Sequence, residues 1–245
     1  MISAIVLAGG SGKRFGGDIP KQYRTLIDKP VIAWSLLAFE KSRVDAIVLV
    51  CAEKDIDYCK KDIIDKYGIH KCVAVVPGGA NRYDSVYCGL KAVLENENAK
   101  RSTGLIAPDE GCFSMIHDGA RPCIDIATIN EAALYVSNEG SCVVGVPVTD
   151  TIQIVNEDGD IMMTPERVRT WAAQTPQCFE TANVFSSYGL VVEDDDGTIT
   201  DDASAVRKYG EGSIHMLLGK KENIKITTEE DLKTAADILA GSALH

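Results

Sequence analysis

The sequence lacks several patterns that would assign a function directly. None of its eight cysteines form a Cys-x-x-Cys pair, so neither a zinc site nor a thioredoxin-like redox motif is indicated. No apolar run has the length of a membrane span, and the first residues contain no basic segment typical of a signal peptide. Acidic residues outnumber basic ones, which gives a formal net charge of −11. Binding a nucleic acid requires a basic face, so such a partner is not expected. We therefore expect a reduced, cytoplasmic protein with no membrane or nucleic-acid partner.

Of the 245 residues, 45% are apolar, which is enough to bury a sizeable core. Short apolar runs alternate with segments of helical spacing, a pattern that predicts an α/β fold: a Rossmann-like, mostly parallel sheet with helices on both faces. No repeat or low-complexity linker interrupts residues 1–245, so we predict a single domain. The predicted strands span 3–7, 46–51, 73–76, 113–117, 142–146 and 214–218, and the predicted helices span 31–39, 56–67, 83–94 and 126–136.

The pattern changes after the fifth predicted strand. Residues 148–164 alternate apolar and polar side chains around Asp158-Gly159, a hairpin turn signal. Such a ribbon is stable only when it lies against something else, and a second subunit is the natural candidate. We therefore predict a projecting β-arm at about residues 148–168 that serves dimerisation, and hence a homodimer.

The first strand leads into a glycine-rich loop, "LAGGSGKRFGGDIPKQY", at residues 7–23. The Walker phosphate loop is excluded because Leu7 and Arg14 stand where it requires glycine and Ser or Thr. The dinucleotide fingerprint is weakened because Phe15 stands where its third glycine belongs. What remains is a long basic loop that can wrap a triphosphate, with charge from Lys13, Arg14 and Lys21. A solvated surface loop remains the alternative.

A second double glycine follows the third predicted strand, in "PGGANRYDSV" at residues 77–86. Two adjacent glycines let a flat base approach the backbone, and Ser85 can form a hydrogen bond to the edge of that base. Arg82 adds a positive charge beside them. The alternative is an ordinary strand-to-helix turn with Asp84 or Ser85 near the helix start.

The fourth predicted strand ends in "IHDGARP" at residues 116–122. Asp118 is a candidate for holding Mg²⁺ or a substrate hydroxyl, because hard oxygen ligands suit magnesium. Adjacent strand residues point to opposite faces, so we interpret His117 as structural and Asp118 as functional. Arg121 is expected to brace the loop by pairing with a carboxylate.

Further polar residues come from the second half of the chain. Arg167, Thr175 and Lys225 lie in "RVRTWAAQTPQ" and "NIKITT", and each alone would pass as a surface charge or a cap. Thr200 in "TDDAS" is predicted to cap a helix. Thr228 is predicted to begin the last helix with a capping box.

Taken together, these motifs resemble the 2-C-methyl-D-erythritol 4-phosphate cytidylyltransferases of the non-mevalonate isoprenoid pathway, from Ile2 to the last helix. Ribitol-5-phosphate cytidylyltransferases are the nearest alternative; they typically show "HDAVRPF" and "LTDA" where this chain has "HDGARPC" and "ITDDASA". The motifs that carry the resemblance are "LAGGSGKRF…PKQY", "GGANRYDSV", "HDGARP", Asp150-Thr151, "AAQTPQ.F", "TDDASAV" and "ENIKITTEEDL".

The resemblance implies a nucleotidyltransferase-type fold, an arm that wraps a partner subunit, and a set of site residues. The candidate catalytic residues are Arg14, Lys21, Arg167 and Lys225. The candidate nucleotide-binding residues are Ala8, Gly9, Gly10, Gly12, Lys13, Gly79, Arg82 and Ser85. The candidate substrate-binding residues are Asp118, Thr151, Arg167, Thr175 and Lys225, with Thr151 and Arg167 expected to serve the neighbouring subunit's site.

The implied reaction joins CTP and a polyol phosphate and releases pyrophosphate. The attacking phosphate monoester is already mostly dianionic at neutral pH, so no general base is required. Mg²⁺ is expected as the cofactor, bound mainly through the CTP phosphates, with Asp118 as a candidate ligand. Two readings of another class stay open: a non-catalytic nucleotide-binding regulatory protein, and a nicotinamide-dependent dehydrogenase.

Overall fold

The computed structural model describes residues 1–9, 19–194 and 198–242. Its centre is a seven-stranded sheet, in which the first strand is an interior strand and pairs in parallel with a neighbour on each side. The predicted α/β fold with a mostly parallel sheet is confirmed. The candidate residues Gly10, Gly12, Lys13 and Arg14 lie outside the described residues.

Eleven strands and seven helices are numbered in chain order. The strands are β1 (Ile2–Leu7), β2 (Thr25–Leu26), β3 (Lys29–Pro30), β4 (Ala46–Cys51), β5 (Cys72–Pro77), β6 (Phe113–Asp118), β7 (Cys142–Pro147), β8 (Ile154–Val155), β9 (Ile161–Met163), β10 (Trp171–Glu180) and β11 (His215–Leu218). The helices are α1 (Val31–Glu40), α2 (Ile56–Tyr58), α3 (Arg82–Ser102), α4 (Ile126–Asn138), α5 (Thr181–Asp194), α6 (Asp202–Tyr209) and α7 (Glu229–Ser242). The large sheet has the order β11-β7-β10-β6-β1-β4-β5.

Both faces of the sheet are buried, as continuous apolar strands predict. Along β1, Ala4 and Val6 belong to one apolar cluster, which includes residues of α1 and α4. Ile5 and Leu7 point the other way, into a cluster with residues of α3, α5 and α6. The strands are therefore fixed from two sides, and their carboxyl ends are held as a rigid edge for the loops that follow.

Strand β10 was missed by the sequence patterns, which placed no strand at residues 171–180. It runs antiparallel between β6 and β7, with Gln177 opposite Ile116 and Val143. Its register shifts between Ala173 and Gln177, and the Thr175–Pro176 peptide bond is cis. Polar side chains of this strand thereby enter the sheet beside the end of β6.

Several helices differ in detail from their predicted ranges. The segment predicted as one helix over 56–67 contains α2 followed by a π-helix at Cys59–Asp65. Helix α3 runs well past residue 94, to Ser102. Asp201, not Thr200, caps α6, because its carboxylate accepts from the Ser204 amide and its φ and ψ are extended. The capping box at Thr228 is confirmed by reciprocal hydrogen bonds with Asp231.

Residues 148–168 form the predicted arm, a two-stranded ribbon of β8 and β9 outside the main sheet. The described residues leave the ribbon's apolar side chains exposed; Met162 is 68% exposed, and Val168, which follows β9, is 86% exposed. No helix in the described ranges has the length and apolarity needed to cross a membrane.

Candidate active site

The segment that follows the first loop is anchored at two points. Gln22 donates its side-chain amide to the Ala8 carbonyl oxygen at 2.6 Å, which ties this segment to the end of β1. Lys21 donates Nζ to the carbonyl oxygen of Ile226 at 2.8 Å, although 205 residues separate the two. Lys21 is thereby held against the backbone of the segment that carries Lys225.

Asp118, the last residue of β6, lies between two cations. Its Oδ2 is 2.7 Å from Nζ of Lys225, and its Oδ1 is 3.5 Å from Nε of Arg82. Burial alone would raise the pKa of the Asp118 carboxyl, but the charges of Arg82 and Lys225 and the hydrogen bond from Lys225 hold it well below its usual range. The Asp118 carboxyl is therefore ionised at neutral pH and can accept hydrogen bonds at the carboxyl end of β6.

The backbone of Asp118 is fixed by Thr175 on β10. The amide of Asp118 donates to Oγ1 of Thr175 at 3.1 Å, and that hydroxyl lies 3.0 Å from Nδ1 of His117. His117 is fully buried and packs edge-on against Phe39, whereas Asp118 faces Arg82, so the two residues point to opposite sides as expected. Burial lowers the pKa of His117 to about 4, which keeps its imidazole neutral. With Nε2 toward the Arg121 carbonyl oxygen, Nδ1 is left to accept from Thr175.

The segment carrying Lys225 is clamped by Asn223, a residue that the sequence patterns did not single out. Its side-chain amide donates to the Thr175 carbonyl oxygen at 2.9 Å and to the Gln174 side chain at 3.2 Å. Arg121 donates Nη1 to the Asn223 carbonyl oxygen at 2.7 Å. The expected pairing of Arg121 with a carboxylate is not found as a direct ion pair among the described residues, although the charge of Asp118 acts on its guanidinium; the loop is braced through a backbone carbonyl. Only the side-chain amide in "ENIKITT" hinted at this contact.

The second glycine pair lies beside the end of β1. A Cβ atom at Gly9 would be 3.6 Å from Oγ of Ser85, and the Gly79 amide donates to that oxygen at 3.2 Å. A side chain at Gly79 would collide with Cβ of Asp84, at 2.2 Å. The turn alternative also holds, since Asn81 and Asp84 form a capping box at the start of α3. Cap and glycine loop therefore occupy the same turn.

The two arm residues of the predicted site lie apart from this group. Arg167 donates Nη1 to the Thr149 carbonyl oxygen at 3.2 Å and is exposed, as is Thr151. In the part of the chain that the structure describes, neither forms a hydrogen bond or ion pair with Asp118 or Lys225.

Whether this site can hold a divalent cation depends on the oxygen, nitrogen and sulfur ligands that its side chains offer. Among residues 1–9, 19–194 and 198–242, no three His, Cys, Asp or Glu side chains are grouped so that they could hold a metal ion. The carboxylate of Asp118 already faces Lys225 and Arg82, which compete with a metal for the same oxygens. A metal here would depend on oxygens supplied by a ligand.

The described residues thus bring Lys21, Lys225, Arg82 and Asp118 to one edge of the sheet, next to the Gly79 and Ser85 turn. Fixed cations around one carboxylate suit an anionic ligand that also carries hydroxyl groups. The strand ends of an open α/β sheet are where such ligands bind.

Comparison with known proteins gives a family match over nearly the whole chain. The family model of IspD, 2-C-methyl-D-erythritol 4-phosphate cytidylyltransferase, matches residues 2–241. A curated protein of that name from Lachnospira eligens is 41% identical over 244 residues, which cover 98% of this chain and 100% of that protein. Another from Lachnoclostridium phytofermentans is 40% identical over 238 residues, covering 97% and 96%.

Solved structures are similar as well. A crystal structure of 4-diphosphocytidyl-2C-methyl-D-erythritol synthase from Anaerococcus prevotii has a TM-score of 0.78 and 25% identity, covering 98% of this chain and 96% of that one. A Francisella tularensis structure of 2-C-methyl-D-erythritol 4-phosphate cytidylyltransferase has a TM-score of 0.73 and 26% identity, covering 97% and 99%.

Proposed function

Because this chain belongs to the 2-C-methyl-D-erythritol 4-phosphate cytidylyltransferase family, we propose that the residues gathered around Asp118 carry out its cytidylyl transfer. The chain is a nucleotidyltransferase of isoprenoid biosynthesis, which joins CTP and 2-C-methyl-D-erythritol 4-phosphate to form 4-diphosphocytidyl-2-C-methyl-D-erythritol. The methylerythritol reading of the sequence is confirmed over its ribitol-phosphate, regulatory and dehydrogenase alternatives.

The chemistry needs little from the protein beyond position and charge. A phosphate oxygen of the methylerythritol phosphate forms a bond to the α-phosphorus of CTP, while the bond from that phosphorus to the bridging oxygen breaks and pyrophosphate leaves. The second pKa of a phosphate monoester is about 6, so the nucleophile is ionised without a base. Bringing two anions together is the difficulty, and positioned cations reduce that repulsion.

Lys21 and Lys225 are suited to this task. Nζ of Lys21 donates to the carbonyl oxygen of Ile226, the residue after Lys225, while Nζ of Lys225 pairs with Asp118. We assign Lys21, with Arg14, to the α-phosphoryl group of CTP, and Lys225 to the phosphate of the acceptor. Asp118 is then placed to accept a hydrogen bond from an acceptor hydroxyl. The single observation that carries this assignment is that Lys21 binds the backbone next to Lys225, whose side chain pairs with Asp118.

The glycine turns are assigned to the nucleotide. Gly9 leaves the approach to Oγ of Ser85 free of a side chain, whereas glycine at position 79 lets the turn pack against Asp84 and bring its amide to the same hydroxyl. Ala8, Gly10, Gly12 and Lys13 complete the assigned set. Arg82, which the sequence predicts as a nucleotide contact, is assigned instead to the Asp118 carboxylate that it faces. Thr175 acts through the backbone of Asp118, which its hydroxyl holds.

A divalent cation fits this scheme as a partner of the triphosphate. Mg²⁺ bound by CTP phosphates would neutralise charge on the leaving pyrophosphate. The phosphate oxygens of CTP would supply most of the ligands of this cation, and Asp118 is the protein carboxylate proposed to join them.

We also propose that the active enzyme is a homodimer joined through the arm. The exposed apolar side chains of the ribbon support this, because a contiguous apolar patch marks an interaction surface. Sedimentation equilibrium should give a dimer for the wild-type chain and a weaker one for Met162→Asp. Leu105→Asp is the matched control, since Leu105 is an exposed apolar residue, at 75%, outside the arm. A monomeric wild-type chain, or equal weakening by both variants, would contradict the proposal.

A cytoplasmic location is the proposal that suits the thiols best. All eight cysteines are free, and four of them lie on strands of the central sheet: Cys51, Cys72, Cys142 and Cys178. A reducing compartment keeps such thiols unpaired. Fractionation of cells that express the chain should recover it with cytoplasmic markers; recovery with membranes would contradict this.

The activity is tested by pyrophosphate release with CTP and either acceptor. Purified enzyme with Mg²⁺ should release pyrophosphate with 2-C-methyl-D-erythritol 4-phosphate, and much more slowly with D-ribitol 5-phosphate. Replacing CTP by ATP or GTP should abolish release, because the Ser85 turn is assigned to cytosine. Faster release with ribitol phosphate, or none with any pair of substrates, would overturn the proposed function.

A further inference from the structure

Arg82 has a second partner on the side away from Asp118. Its Nη1 and Nη2 atoms donate to the two carboxylate oxygens of Asp202, at 2.7 and 2.8 Å. This leaves Nε to face Oδ1 of Asp118, at 3.5 Å. One guanidinium therefore links two carboxylates that come from β6 and from the first residue of α6.

Asp202 is itself held firmly. Its side chain is 0% exposed, and its Oδ1 accepts a hydrogen bond of 2.5 Å from the hydroxyl of Tyr188 on α5, which is also fully buried. The next amide, that of Ala203, donates to the side chain of Gln177 on β10 at 2.7 Å. The carboxylate is thereby held by a phenol hydroxyl, and the backbone next to it is held by a strand.

Such a group needs a reason to be buried. A carboxylate without solvent is costly unless it is paired and hydrogen-bonded, and an apolar residue of similar size often serves stability equally well. Here Arg82, the partner of Asp202, also faces Asp118, the carboxylate to which the proposed function assigns the acceptor. The bidentate geometry also fixes the plane of the Arg82 guanidinium, which a lysine could not do.

We infer that Asp202 and Tyr188 are positioning residues of the cytidylyl transfer: they hold Arg82 so that it orients Asp118 toward Lys225 and the acceptor. The inference rests on the proposed function of Asp118. The contacts run from Tyr188 on helix α5 through Asp202 and Arg82 to Asp118, the residue proposed to bind the acceptor.

Loss of the Asp202 charge has a specific consequence. With Asp202→Asn the guanidinium loses its anionic partner, and Asp118 becomes the remaining carboxylate in reach of Arg82. Asp118 would then be drawn away from Lys225 and the acceptor. The KM for methylerythritol phosphate should rise by about tenfold or more, as expected for loss of a charged hydrogen bond, while the KM for CTP changes much less. Tyr188→Phe should give the same pattern with a smaller rise.

The control and the coupling test use the same helices. Tyr209→Phe removes another hydroxyl that bonds an aspartate between α6 and α5, that of Asp194, without contact to Arg82. It should leave both KM values unchanged. In an Arg82→Lys background, Tyr188→Phe should add little, because effects along one chain of contacts are not additive.

Each outcome decides the inference. Circular dichroism and thermal melting identify variants that fold; if Asp202→Asn does not, Tyr188→Phe and Arg82→Lys carry the test. A folded set that leaves the KM for methylerythritol phosphate unchanged, raises both KM values equally, or is fully additive would make Asp202 and Tyr188 structural only. Wild-type enzyme without pyrophosphate release would instead contradict the proposed function, so the two failures are distinguishable.

Discussion

Lys225 and Asp118 form an ion pair of 2.7 Å between Nζ and Oδ2, across 107 residues of chain. The carboxylate side chain is only 12% exposed, whereas the lysine side chain is 41% exposed. The pair is therefore open on the lysine side. A phosphate can contact Lys225 without breaking its bond to Asp118, which makes the pair a ready anion site.

We predict that Lys225→Met mainly weakens binding of the acceptor. Its KM for methylerythritol phosphate should rise by about tenfold or more, since a charge-assisted hydrogen bond to phosphate is lost. The matched control is Lys220→Met, which breaks another lysine–aspartate pair nearby, with Asp125 at 3.2 Å. Initial-rate kinetics with each substrate varied in turn measure both. An unchanged KM in Lys225→Met would remove Lys225 from the acceptor site.

Lys21→Ala is expected to act on turnover. The kcat should fall by about a hundredfold or more, as when a preorganised group that stabilises developing charge is removed. Isothermal titration calorimetry should still detect CTP binding, because the glycine turns remain. Lys29→Ala, a lysine eight positions further on, paired with Asp28, should keep normal turnover. Near-normal kcat in Lys21→Ala would take this residue out of the chemistry.

Arg167 provides a test of whether sites are shared between subunits. Arg167→Ala alone should raise the KM for methylerythritol phosphate. In a mixed dimer of Lys21→Ala and Arg167→Ala chains, a site built from both subunits would be restored in one of its two copies. At a methylerythritol phosphate concentration far below the KM of Arg167→Ala, where both parent variants turn over slowly, refolding equal amounts of the two should recover about a quarter of wild-type activity, because half of the dimers are mixed. If each site uses its own Arg167, the mixture shows no more activity than the average of the two parent variants.

Most of the fold could be predicted from the sequence because most strands of the central sheet are short runs rich in apolar residues. The runs ending at Leu7, Cys51 and Asp118 are rich in apolar residues, and their alternation with helical segments predicted their ranges to within a residue. Strand β10 was missed for the opposite reason: "AAQTPQ" carries buried polar side chains and a proline, which locally resemble a turn. Only its neighbours in the sheet make it a strand.

The site was predictable in its members but not in its contacts. Lys225 and Asp118 stand in motifs that the sequence displays, yet nothing local pairs them. The same holds for Arg82 and Asp202, which are 120 residues apart. Asp202 is the first residue of α6, where an acidic side chain is favoured by the helix dipole in any case. Its role as the buried partner of Arg82 depends on the folded chain.

His117 gives the last prediction, on the pH dependence of stability. Burial lowers the pKa of its imidazole to about 4 in the folded protein, whereas an unfolded histidine titrates near about 6.5. Between these values the unfolded chain binds a proton that the folded chain does not. The free energy of unfolding therefore falls as pH falls through this window, with the contribution complete above about pH 6.5 and lost toward about pH 4. From about pH 7 to about pH 5 this residue alone should lower the free energy of unfolding by about 2 kcal/mol.

Urea unfolding at several pH values should show that His117→Gln loses this part of the pH dependence, whereas the control His70→Gln, at an exposed histidine, keeps it. An unchanged slope in His117→Gln would mean that this imidazole takes up its proton equally in both states.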